Sequence, residues 1–89
     1  MKETVESIIN NWDPIDLLAF APKDEYSSEI SQLASFVVKN QNINEIAIEI
    51  HRIFTGNFGN DIFIHDITEC QKIAEIIVRT VGDKWKLKI

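Results

Sequence analysis

The sequence predicts an all-α fold, a compact bundle of four to five helices in one domain over residues 1–89. Three observations carry that prediction. Apolar residues recur at helical spacing in four separate stretches. Only 3 Gly and 2 Pro punctuate the chain, too few for a turn-rich β architecture. Asn42 with Glu45, and Asp66 with Glu69, place an Asx and an acid three residues apart where two of those stretches begin, the spacing of a capping box.

The elements follow in order. Val5, Ile8, Ile9 and Trp12 form one narrow stripe with Glu3, Glu6, Ser7 and Asn10 opposite, which predicts a helix over 2–11. Asp13 suits an N-cap and Pro14 a first helical position, so a short buried helix is expected over 15–21, stapled by Trp12 and Leu17. Pro22 ends it. Tyr26, Ile30, Leu33, Ala34 and Val37 then share one face of a helix over 23–40, with Asp24 and Glu25 in a first turn that favours negative charge. Ile43, Ile46, Ala47, Ile50, Ile53 and Phe54 form the next stripe, with Gly56 as the expected stop. Ile67, Cys70, Ala74, Ile77, Val78 and Val81 form the last, with Gly82 closing it. Trp85-Lys86-Leu87-Lys88-Ile89 alternates with period two and is expected to pair with 61–65 as a minor two-stranded element.

Composition narrows the function. Hydrophobic residues at 45% and charged ones at 26% exclude a disordered chain, and no apolar run approaches the ~20 residues that cross a bilayer. Three of the 9 Lys and Arg (Lys84, Lys86, Lys88) fall in the last six residues, so residues 1–83 carry six bases against 14 acids, a net −8. Such a body repels nucleic-acid backbones and favours encounter with a basic protein surface. The single cysteine, Cys70, precludes a disulfide within the chain. Met1-Lys2-Glu3-Thr4-Val5-Glu6 places acids where a secretory signal has bases, so a cytoplasmic protein without a membrane association is expected.

Chemistry-bearing residues have plainer explanations beside the functional ones. Cys70 lies in a helical first turn, which lowers a thiol pKa, but at the centre of an apolar stripe, which suits an inert buried thiol better. His51, His65, Asp61, Asp66 and Cys70 lack the spacing of a zinc site. Asp13, Asp16, Asp24 and Glu25 suit acid–base work only if burial separates their pKa values, and capping already explains most of them. Two apolar residues are surplus to their helices. Ile48 projects into the face of Asn44, Glu45 and Arg52, and Phe36 flanks Glu25, Glu29 and Gln32. An apolar centre with a charged rim is the anatomy of an interface, and the 85–89 stretch is the alternative cover for either residue.

Trp12-Asp13-Pro14-Ile15, then Ala21-Pro22-Lys23-Asp24-Glu25-Tyr26 with Glu29-Ile30, and Ile53-Phe54 followed by Phe58-Gly59, resemble the signature of the YugE-like family of small bacterial proteins, a domain of unknown function. The matching segments run over residues 12–59. The resemblance implies a small, mostly helical, stand-alone bacterial protein, and it carries over no catalytic residue. Trp12, Asp13, Pro14 and Tyr26 read as structural in their own right.

The expected function is therefore non-enzymatic: an acidic protein–protein interaction module, immunity-like or regulatory, without a cofactor, whose partner carries a basic patch. The candidate surface is Asp24, Glu25, Glu29, Phe36, Ile48 and Arg52. Two alternatives stand beside it. One is a small metal-dependent or acid–base enzyme using the Asp13–Glu25 acids or the His65 region; the other is a homo-oligomeric structural protein with Ile48 or the 85–89 tail as the self-contact.

Overall fold

The computed structural model describes residues 2–15, 26–59 and 61–86, the last four of these by their backbone. Four helices account for nearly all of them: α1 (Lys2–Trp12), α2 (Ser27–Lys39), α3 (Ile43–Phe58) and α4 (Ile67–Lys86). Each helix packs on its neighbours in the cycle α1–α2–α3–α4, with α4 returning to α1, while the diagonal backbones stay apart. Successive helices run antiparallel, an up-down-up-down bundle.

The predicted stripes face inward except at the first residue of the last two, where Ile43 and Ile67 open their helices and are exposed. Val5 and Ile9 of α1, Ile30, Leu33 and Val37 of α2, Ile46, Ile50 and Phe54 of α3, and Cys70, Ala74, Ile77 and Val81 of α4 are all buried in one core. Aromatic rings gather at one end of it. Phe54 meets Trp12 across the diagonal and also meets Tyr26, Phe58 and Phe63, with centroids 5.3–6.0 Å apart. Two of these contacts, with Trp12 and Tyr26, are edge-to-face and two, with Phe58 and Phe63, are stacked, both arrangements the ring quadrupole allows.

Several boundaries differ from the sequence expectation, each for a local reason. Asp13 does not begin a helix as an N-cap. Its φ of 47° is left-handed, and its N–H donates to the Ile9 carbonyl at 2.8 Å, so it terminates α1. Pro14 then blocks continuation. The short helix expected over 15–21, and the first residues of the one expected over 23–40, lie outside the described residues. Tyr26 is a turn residue, and α2 proper starts at Ser27.

Neither Gly56 nor Gly82 is a stop. Both lie inside helices, and it is Gly59, with φ 85°, that ends α3 by donating to the Thr55 carbonyl. Because α4 runs on through Gly82, Trp85 and Lys86 are helical and not strand. The described part of 61–65 is turn and irregular backbone, and no strand occurs among the described residues. Leu87, Lys88 and Ile89 lie outside them. The pairing of 85–89 with 61–65 also fails on distance. The 20 residues of α4 span about 30 Å, which three further residues cannot retrace at roughly 3.5 Å each.

Asn42 and Asp66 do cap α3 and α4. Asn42 Oδ1 accepts from the Glu45 N–H and Asp66 Oδ1 from the Glu69 N–H, each at 3.0 Å. The acids do not reciprocate as in a full capping box. Glu45 takes a bond from Asn40 Nδ2 at 2.7 Å, and Asn40 Oδ1 accepts the Asn42 N–H instead.

Candidate interaction surface

Side-chain pairs fix the register of α3 against α4. Gln71 Nε2 donates to Asn44 Oδ1 at 3.4 Å, and the His51 and Phe63 rings lie 5.8 Å apart. Ile48 sits one turn after Asn44, and Ile67 one turn before Gln71. The antiparallel register therefore puts both on one face, between those two contacts. Ile48 is 59% exposed, Ile67 40%, and Ile64, just before α4, 78%. In the segment leading into α4, Ile62 and Ile64 face solvent while Phe63 enters the core and His65 is half-buried. In the sequence this stretch stood out only as 61–65, the expected partner of a strand over 85–89.

Arg52 lies one turn beyond Ile48 on the same outer face, and its guanidinium forks onto Glu49, Nε to Oε1 at 2.5 Å and Nη2 to Oε2 at 2.8 Å. Those bonds, helped by the guanidinium charge and opposed by partial burial, hold the Glu49 carboxyl below the usual carboxylate range.

The other candidate positions fall elsewhere. Phe36 is half-buried and packs against the core. Glu29 is not a surface residue: it is 5% exposed, because the C-terminal end of α3 covers it. Its Oε2 accepts from Asn57 Nδ2 at 2.8 Å, and its Oε1 has no partner among the described residues. Asp24 and Glu25 lie outside the described residues. Trp12, Asp13, Pro14 and Tyr26 converge at the aromatic end of the bundle. The buried Tyr26 hydroxyl donates to Asp13 Oδ1 at 2.6 Å and accepts from the Ile15 N–H at 3.3 Å.

His65 is held from both sides. Its Nδ1 meets Glu69 Oε2, its Nε2 meets the Pro14 carbonyl at 2.6 Å, and its ring lies 5.1 Å from Trp12. With both nitrogens engaged, the ring joins α4 to the end of α1 and has no free nitrogen to exchange a proton with a substrate. Cys70 is fully buried, and burial, with the nearby Glu69 and Asp66 carboxylates, pushes its thiol up to about 11. No group of three or more His, Cys, Asp or Glu positioned to hold a metal occurs among the described residues. A groove of about 360 Å³ between α1 and α4 has Ile8, Trp12, Ile73 and Ile76 along it, and only Ser7 and Asn11 as further polar lining.

Fold and surface together define a small antiparallel four-helix protein with an exposed isoleucine face. The chain belongs to the family described as Domain of unknown function (DUF1871), which matches residues 4–82. No curated protein and no solved structure matches it. No helix among the described residues is long and apolar enough to cross a membrane.

Proposed function

We propose that this protein is a non-enzymatic interaction module that docks another protein chain through the α3–α4 face. The observation that carries the proposal is the exposed pair Ile48 and Ile67 on one face of α3 and α4, with Ile64, just before α4, more exposed still. Surface isoleucines scattered singly are ordinary; two brought to one face by separate helices mark a patch. The Glu49–Arg52 fork and the Asn44–Gln71 contact border the patch with polar groups, as an interface rim does. Within the family, the Trp12-Asp13-Pro14-Ile15 signature supports the YugE-like branch, and the acidic composition supports a partner with basic character in the cytoplasm. Acid–base or metal chemistry has less support, since the ring nitrogens of His65 are both engaged and the Cys70 thiol is held neutral.

The test is retention of partners by wild type, Ile48→Asp and Ile67→Asp from a lysate of the native host. All three should have the same helical circular dichroism. Partners held by wild type and lost by both variants support the proposal. Partners retained equally by all three would remove this face from it.

A further inference from the structure

The neighbours of His65 fix how many protons it holds. Its Nδ1 meets the Glu69 carboxylate, and its Nε2 lies 2.6 Å from the Pro14 carbonyl oxygen. An ionised carboxylate and a backbone carbonyl only accept. A neutral imidazole has one N–H, so it can satisfy one of them and aims a lone pair at the other. Both bonds exist together only when the His65–Glu69 pair holds one proton more, on the ring or shared along the bond. The ring faces agree with a positive charge. The Trp12 indole lies 5.1 Å from the imidazole, within reach of a cation–π contact, and Phe63 lies 5.4 Å away.

The other charged groups around the ring are accounted for. Among the described residues, Arg52 pairs with Glu49 and Arg79 with Glu75, so no arginine competes for Glu69. On α4, Asp66 accepts the Glu69 N–H. At the end of α1, Asp13 takes the hydroxyl of Tyr26, from the turn before α2. On α3, His51 meets Phe63 at 5.8 Å and stands one ring removed from His65.

We infer that His65 is a proton-operated latch, which clamps the end of α1 to α4 when its pair with Glu69 holds the extra proton and lets go when that proton leaves. The bond to a charged acceptor is the stronger of the two, so the proton facing Glu69 stays and the one on Nε2 departs. The Nε2 lone pair then faces the Pro14 carbonyl and repels it. The closed latch binds one proton more than the open one, so closure is favoured at low pH. It is lost as pH rises through the range of about 5–8 in which histidine changes charge. Opening loosens Trp12, whose ring covers Phe54 and Phe63 at 6.0 Å from each. The latch needs no partner protein, so it stands or falls apart from the interaction role.

Nuclear magnetic resonance of the full chain from about pH 5.5 to 9 tests this through the His65 ring nitrogens and the backbone amides of Asp13 and Ile15. Both ring nitrogens should be protonated at the acid end, and Nε2 alone should lose its proton as pH rises. The Asp13 and Ile15 signals should move with the same midpoint. Protection of the Asp13 N–H, which donates to the Ile9 carbonyl, should fall about tenfold or more beyond the ordinary base-catalysed increase in exchange. Glu69→Gln gives the decisive arm. Its amide can donate to Nδ1, so a neutral ring makes both contacts, and Asp13 and Ile15 should keep their low-pH signals throughout. His51→Gln should leave the wild-type response intact. A ring already neutral at the acid end would overturn the inference. So would loss of the Nδ1 proton in place of the Nε2 proton, or a titration of His65 that leaves Asp13 and Ile15 unmoved. A Glu69→Gln protein that still responds to pH, or a response that vanishes with His51→Gln, would overturn it as well.

Discussion

The hydroxyl of Tyr26 bridges to the far end of α1, donating to the Asp13 carboxylate at 2.6 Å while taking the Ile15 N–H at 3.3 Å. One buried side chain thus fixes a left-handed residue and the start of the following segment. Tyr26→Phe keeps the ring packing against Phe54 and Phe58 and removes the bridge. Bonds to a charged acceptor contribute about 1.5–3 kcal/mol, so chemical denaturation should show a loss of that order with an unchanged m-value. Tyr26→Ala should cost more, since the ring is fully buried.

Three glycines separate cleanly. A Cβ at Gly56 or Gly82 meets nothing within 4 Å, and both lie inside helices. Gly56→Ala and Gly82→Ala should each raise stability by about 0.5–1 kcal/mol. Gly59→Ala must hold φ near 85° and should lower it by about 1–2 kcal/mol. Thermal melts of the three single variants check the opposite signs.

The Cys70 thiol should resist alkylation in the native protein and react once the chain is unfolded, followed by mass spectrometry. Its pH signature has a definite sign. The thiol rises from an ordinary value near 9 to about 11 on folding, chiefly by burial. The neutral form is the one the fold favours, so its contribution is intact below about pH 9 and is lost as pH rises toward 11. Two pH units correspond to on the order of 2–3 kcal/mol, and Cys70→Ala should flatten that alkaline decline.

Glu29 buries a carboxyl group with one oxygen satisfied by Asn57 and the other by no group among the described residues. An unmet buried acceptor costs about 1–3 kcal/mol, more if charged, against about 0.3–1 kcal/mol gained from the first turn of a helix. Glu29→Gln keeps an acceptor for Asn57 and removes the charge, so it should raise the melting temperature by a few degrees. A clear drop would show that the helix N-terminus outweighs burial here.

The helix faces and both caps were legible in the sequence, because a 3.6-residue stripe and an Asx three residues before an acid are local patterns with local causes. What was illegible depends on contacts distant along the chain. The burial of Glu29 comes from Asn57, 28 residues on. Gly82 reads as a stop because glycine is common after helices, yet one glycine costs only about 1 kcal/mol inside a helix that packs on two neighbours. The alternation in 85–89 reads as a strand paired with 61–65, but five residues of period two are too short a signal to outweigh the helix that continues through Trp85 and Lys86. Ile48 was legible as misplaced on its own helix. Its companion Ile67 was not, since only the register of α3 against α4 brings the two together.

The helix cycle also orders assembly. α2 meets α3, and α3 meets α4, through short connections, whereas α1 reaches α4 by contacts distant along the chain such as His65 to Pro14, which spans 51 residues. Loop-closure entropy makes that docking the slowest to form. Until α1 arrives, Tyr26, Phe54 and Phe63 stand uncovered by Trp12, so the first helix is a shield whose late placement leaves the nascent protein adhesive at its aromatic end.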